Sequence, residues 1–186
     1  MTEKEKMLAG ELYRGDSDPN LIRDRLAVKD KCREYNMLMP SDLEKRKALM
    51  RTVLGKTKTN FHIEQPFMCD YGYNIEIGEN FYANHNLVIL DCNKVVFGDN
   101  VFIAPNCGFY TAGHPLDHKT RSSGLEFAKP ITVGDDVWIG GNVVVLPGVT
   151  IGARSVIGAG SVVTKDIPPD SLAVGNPCRV IKKLTD

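Results

Sequence analysis

The stretch VGDDVWIGGNVVVLPGVTIGARSVIGAGSVV, Val133 to Val163, decides the fold. Every sixth residue in it is apolar and β-branched: Val133, Ile139, Val145, Ile151, Ile157 and Val163. Four residues after each of the first five comes another small or branched residue: Val137, Val143, Val149, Ser155 and Ser161. Gly134, Gly140, Gly152 and Gly158 follow four of the leading positions. A helix repeats every 3.6 residues and a flat strand every two, so this period fits neither. It fits a parallel β-helix, in which each hexad is one short side of a triangular coil and its leading residue points inward. Three hexads close a coil, so leading residues should stack on those about eighteen positions along. Glycine and Asx residues are expected at the corners, where positive φ is needed.

The same beat runs upstream through Ile77, Ala83, Ile89 and Val95, then through Phe97 and Ile103. Those two runs are two residues out of register, which places a slip near Asn93 and Lys94. Similar turn triplets, GEN, GDN and GDD, begin at residues 78, 98 and 134. Residues 61–113 and 130–176 leave room for about five or six coils. A prism of this kind has flat faces and little internal volume. That shape favours oligomers, with sites in grooves between neighbouring prisms.

Residues 1–57 read differently. In DSDPNLIRDRL, Asp18 suits an N-cap and Pro19 the first helical position. Ser41 and Glu44 have the spacing of a capping box and predict a helix start there. The expected organisation is a helical segment over 1–57, packed on the coil, and a β-helix domain over 58–186. That domain carries an extended loop at 116–130 and a C-terminal tail.

Composition narrows the function. The 186 residues suit one domain, and 23 basic side chains balance 23 acidic ones, against a nucleic-acid or acidic-membrane partner. The five cysteines, at 32, 69, 92, 107 and 178, form no C-x-x-C pair. They read as buried small hydrophobes in a reducing cytosol, not as a disulfide framework or zinc knuckle. The start MTEKEKMLAG lacks the apolar centre of a signal peptide, and no apolar run reaches the ~18 residues of a membrane span. A cytoplasmic protein is expected.

No G-x-S-x-G, P-loop or H-E-x-x-H occurs, so acid–base chemistry must come from a histidine or carboxylate. His114 lies in FYTAGHPLD, Phe109 to Asp117, where the repeat breaks into the polar excursion LDHKTRSSGLEFAK. Loops leaving a rigid scaffold often carry function, and imidazole is suited to accept a proton from a hydroxyl. A turn histidine bonded only to the backbone is an equal reading of the spacing alone. His114 and His118 would face one way on a helix and could hold a metal, but Pro115 and the loop composition argue against a helix. No metal is assigned. His62 and His85 read as structural or surface groups. In WIGGN, Trp138 to Asn142, Gly141 is an extra glycine that lets a backbone or flat ligand approach. Lys165, Arg179, Lys182 and Lys183 form a small basic group, either a phosphate site or a solvated tail.

Taken together, NFYANHNLVILD, TAGHPLD, VWIGGNVVVLPGVTIG, VIGAGSVVTKDIP, GNPCRVIK and the starting KMLAGELY resemble the maltose and galactoside O-acetyltransferases over essentially the whole chain. The resemblance implies a left-handed parallel β-helix with an N-terminal α-helical segment. It also implies a homotrimer with sites between subunits, acetyl-CoA as co-substrate and a sugar acceptor. By the same resemblance His114 matches the general base for attack by a sugar hydroxyl, a primary 6-hydroxyl. Asn84 matches the residue that positions groups and stabilises the transition state. Asp70, Asp91 and Asp16 match acceptor-contacting positions. Gly141, Ala159, Thr164, Lys165, Arg179 and Lys182 match coenzyme positions, and Trp138 is expected to line the groove. The galactoside branch has serine where Asp70 stands and a second aspartate where Cys92 stands, so the acceptor expected here is maltose or glucose. That branch also has serine at 141 and arginine at 182. Two other readings stay open. One is a metal-dependent carbonic anhydrase of the β-helix type, with three histidines meeting at an interface. The other is a non-catalytic trimeric scaffold.

Overall fold

The computed structural model describes residues 1–184, which divide into an N-terminal helical segment and a prism of parallel strands. Helix α1 (Glu3–Ala9) opens on a capping box between Thr2 and Glu5 and ends on Gly10 at φ 77°. Helix α2 (Pro19–Met37) is capped by Asp18, whose side chain accepts from the Asn20 and Leu21 amides. Helix α3 (Leu43–Val53) departs from expectation. Its N-cap is Asp42, without a side-chain cap bond, so the Ser41–Glu44 box does not form. Instead the Leu43 amide donates to the Ser41 carbonyl at 2.9 Å. This tight turn leaves Ser41 one residue outside the cap position.

The prism has three faces. The first stacks Phe61–Ile63, Phe81–Ala83, Phe102–Ile103, Trp138–Ile139, Val156–Ile157 and Ser171–Val174 in parallel, and Arg179–Lys183 closes it antiparallel. The second stacks Phe67–Cys69, Leu87–Leu90, Gly108–Tyr110, Val144–Val145 and Val162–Val163. The third stacks Ile75–Glu76, Val95–Phe97, Ile131–Val133 and Thr150–Ile151. The six leading residues from Val133 to Val163 are at most 1% exposed and form the core. Toward the N-terminus the core widens, and Phe81, Phe97 and Phe109 interlock with ring centroids 5.0–5.1 Å apart. Helices α2 and α3 cover the first coil, burying Tyr35, Met50, Val53 and Leu54 against it.

Two features differ from the simple hexad picture. First, eighteen-residue spacing holds only in the later coils, as in Ile139↔Ile157 and Val144↔Val162. The earlier coils take twenty, as in Phe61↔Phe81, Ala83↔Ile103 and Val88↔Gly108. The extra residues fall at the corner between the second and third faces, at 70–74 and 91–94, and the 111–130 excursion leaves from the same corner. The apparent slip near Asn93 is therefore one of a stacked series. Second, the in-phase glycines do not supply positive φ. Asn80, Asn100 and Asp136 do so at one corner, and Asn86, Asn106 and Asn142 at another, with φ between 55° and 62°. Their side chains form ladders, as in Asn80 to Asn100 and Asn86 to Asn106, both 2.9 Å. Gly134 and Gly140 are glycine for another reason. A Cβ on either would lie 2.6 Å from the amide nitrogen of Ala153 or Ala159 in the next coil.

The excursion is also more ordered than a loop. Ala112–Gly113 pairs antiparallel with Phe127–Ala128. Tyr13 then bridges Glu126, with amide bonds of 2.9 and 3.1 Å in the two directions. Between the hairpin strands lies helix α4 (His118–Ser122), which Asp117 caps through the Thr120 amide at 2.7 Å. A helix does form here, contrary to the expectation from composition, but it starts at His118 and leaves His114 outside it.

Candidate active site

The corner between the second and third faces gathers Asp70, Asp91 and the start of the excursion in successive coils. Asp91 is fully buried. Its Oδ1 accepts from the Asp70 and Tyr71 amides at 3.1 and 2.8 Å, and its Oδ2 from the Asn74 amide at 3.3 Å. Burial pushes its carboxyl up to about 7, opposed by the Tyr71 amide and reinforced by the Asp70 charge. Asp91 therefore holds the Asp70–Asn74 backbone and presents no atom to solvent, which separates it from the acceptor-facing role expected for it. Asp70 is half-buried. Burial raises its carboxyl, and the Lys29 and Arg25 charges work against that. Cys92 is also buried and donates to Asp70 Oδ2 at 3.7 Å, so it supports Asp70 from behind and does not face the corner.

His114 stands exposed at the base of the excursion, its Nδ1 3.5 Å from the Leu125 carbonyl. Burial raises the nearby Glu126 carboxyl, the Asp16 charge adds to this and the Arg25 charge opposes it. Asp16 is exposed and accepts from Arg25 at 2.9 Å. The corner thus assembles His114, Glu126, Asp16, Arg25 and Asp70. Glu126 and Arg25 had no readable signal. Glu126 is held at the corner by the hairpin strand it precedes and by an isolated bridge to Tyr13, 113 positions earlier. Close by, the hydroxyls of Tyr13 and Tyr71 are buried without a hydrogen-bond partner among the described residues.

A second edge of the prism, between the first and second faces, carries other candidates. Asn84, Gly141 and Ala159 lie at this corner in different coils. The Asn84 amide donates to the Ile103 carbonyl at 2.9 Å, and its side-chain Oδ1 accepts from the His85 amide at 2.8 Å. The Gly141 carbonyl accepts from Gly160 at 2.8 Å. Trp138 is 56% exposed on the outer first face, in register with Phe102, which is in turn in register with Tyr82. With Asn84, Ile103 and Ala104 these aromatics line a groove of about 310 Å³. The alternation that points Ile103 and Ile139 inward also points Phe102 and Trp138 outward, so Phe102 and Tyr82 were legible beside Trp138 but unread. Thr164 and Lys165 are exposed just beyond Val162–Val163. Arg179 and Lys182 are exposed on the closing antiparallel strand. The donor-side candidates therefore divide: Asn84, Gly141 and Ala159 lie on the edge between the first and second faces, Thr164 and Lys165 on the edge between the second and third, and Arg179 and Lys182 at the C-terminal end of the prism.

Within one chain, Asn84 and His114 occupy opposite edges of the second face and are not brought together. The remaining histidines are elsewhere. His62 pairs with Glu64 at 2.9 Å and stacks on Tyr82, and His85 Nδ1 lies 2.5 Å from the Gln65 carbonyl. Among the described residues, no three His, Cys, Asp or Glu side chains of one chain could hold a metal ion. All five cysteines are free and buried. No helix among the described residues is long and apolar enough to cross a membrane.

Known proteins with this arrangement are numerous. Residues 6–58 match the maltose acetyltransferase hexapeptide capping motif, and residues 130–165 match the bacterial transferase hexapeptide with its six repeats. A putative acetyltransferase of Saccharomyces cerevisiae is 59% identical over 182 residues, covering 98% of this chain and 93% of its own. The crystal structure of a maltose O-acetyltransferase from Clostridium difficile 630 superposes with a TM-score of 0.97 at 51% identity, covering 100% of this chain and 99% of its own. A galactoside acetyltransferase in complex with coenzyme A gives 0.96 at 48% identity, covering 100% and 92%.

Proposed function

The chain belongs to the maltose and galactoside O-acetyltransferase family, and on that premise we propose that it acetylates a sugar hydroxyl with His114 as general base. It is an acetyl-CoA-dependent O-acetyltransferase built on the left-handed β-helix of the hexapeptide-repeat enzymes. The observation that carries the base assignment is the place of His114. The longest interruption of the coil sets an exposed imidazole 3.5 Å from the Leu125 carbonyl, next to Glu126 in sequence and at the corner that also carries Asp70, groups suited to hydrogen-bond a polyhydroxylated acceptor.

In this reading the acceptor hydroxyl attacks the thioester carbonyl as its proton passes to His114. The tetrahedral oxyanion then collapses, the C–S bond breaks, and the coenzyme thiolate leaves with the proton returned by the imidazolium. Asn84 and the Gly141 amide serve the oxyanion and the thioester. Trp138, with Tyr82 and Phe102, flanks the pantetheine arm. Ala159 and Thr164 lie along its path, and Lys165, Arg179 and Lys182 meet the phosphates. Because Asn84 and His114 sit on opposite edges of one prism, a complete site needs a second copy. A homotrimer with three shared sites meets that need. Asp70 and Asp16 contact the acceptor, and Asp91 acts through the backbone it holds. The acceptor in this reading is maltose or glucose, with Asp70 standing where the galactoside branch has serine. The free cysteines suit a cytoplasmic setting.

Thiol release from acetyl-CoA over a panel of glucose, maltose, galactosides and N-acetylated sugars tests the acceptor. H114A should lower kcat by ~10²–10⁴ with coenzyme binding retained. Near-wild-type turnover of every sugar by H114A would remove the base assignment.

A further inference from the structure

We propose that Arg121 is the positioning residue that holds His114 in its working orientation, an inference that rests on His114 as the base. The His114 ring makes no close hydrogen bond of its own; its nearest polar contact is the 3.5 Å approach to the Leu125 carbonyl. Its direction must then come from its backbone. On the N-terminal side that backbone is fixed, because Gly113 is paired with Phe127 in the hairpin. On the C-terminal side the chain leaves the sheet through Pro115 and Leu116, the latter 97% exposed, with no strand to hold it.

Arg121 supplies the missing fixture. From the last turn of α4 it reaches back, and Nη1 donates to the Pro115 carbonyl at 3.0 Å and the Leu116 carbonyl at 3.1 Å. The helix that carries Arg121 is itself anchored at both ends. Asp117 accepts from the Thr120 amide at 2.7 Å and from its hydroxyl at 2.6 Å. Beyond the helix, Arg14 donates to the Ser123 carbonyl, tying the excursion to the N-terminal segment. The result is a closed brace around an exposed segment that has almost no apolar core. His114 sits between the paired strand and the cationic clamp. Arg121 acts through the Pro115 carbonyl, next to the base. A misplacement of about 1 Å is enough to cost on the order of 10²-fold in a proton-transfer step.

The test is steady-state kinetics of R121A, R121K, H114A and the double variant R121A/H114A in the full-length protein, with and without added guanidinium. R121A should lose kcat about 10–100-fold. Its KM for acetyl-CoA and its melting temperature should stay near wild type. R121K should recover part of the loss, since an ammonium can reach the same carbonyls, and millimolar guanidinium should restore R121A further. R121A should add little to H114A, because both act on one step. The proposal is overturned if R121A keeps wild-type kcat while H114A does not. It is also overturned if the R121A loss comes with a lower melting temperature and no guanidinium response. Full activity of H114A would instead remove the base assignment itself, a result the same assay reports separately.

Discussion

Asp91 shows how much one buried carboxylate organises. It accepts from three backbone amides of the 70–74 corner in the preceding coil and so shapes the backbone that carries Asp70. Its environment has a measurable consequence. The carboxyl is raised in the fold from an ordinary 3.8 to about 7, chiefly by burial. A raised acid stabilises the fold while protonated, so this contribution is full below pH 3.8 and is lost as pH rises to about 7. D91N removes the titration. The melting temperature of D91N relative to wild type should therefore climb between about pH 4 and pH 7 and level off above that. A difference that stays flat across that range would contradict the burial argument. That Asp91 turns inward was not legible. A sequence does not show which aspartate is turned inward when two extra residues at a corner change the phase.

The coil is the scale at which sequence and structure agree most closely. Inward β-branched residues, outward polar residues and a fixed beat specify a parallel β-helix because each side chain's direction follows from strand alternation alone. The twenty-residue coils were harder to read. Their extra residues sit at one corner, and a sequence records this only as a shift of phase at Asn93 and Lys94. The helix in the excursion was missed because five residues carry no periodicity, and the failed cap at Ser41 because the local turn is tighter than the motif assumes. Glu126 depends on pairing with Tyr13, and pairing across such a separation has no local signal. The in-phase glycines give a further test. G134A would push a Cβ to 2.6 Å from the Ala153 amide nitrogen, a backbone atom that cannot move freely. Strain of this kind costs about 1–3 kcal/mol, so G134A should melt several degrees below wild type. An unchanged melting temperature would show that the coils are not spaced by glycine.

For the whole molecule, the helical segment and the antiparallel strand Arg179–Lys183 close the two ends of a stack that would otherwise offer bare edges. The helical segment does more than cap. Through Tyr13 and Arg14 it grips the excursion that carries His114, which links the N-terminal segment to the proposed base. The groove lined by Asn84, Phe102 and Trp138 remains on the far edge from His114 in the same chain. On the proposed reading, one chain supplies half of each of two sites.

The most direct measurement of this sharing mixes two inactive proteins. H114A keeps the Asn84 edge, and N84A keeps the base. After joint unfolding and refolding at equal amounts, each mixed trimer regains one wild-type site, about a quarter of all sites in a random mixture. The account predicts that acetyl transfer to sugar returns to about a quarter of the wild-type rate, far above either variant alone. Mixed trimers confirmed by mass but with no more activity than the two parents would contradict it.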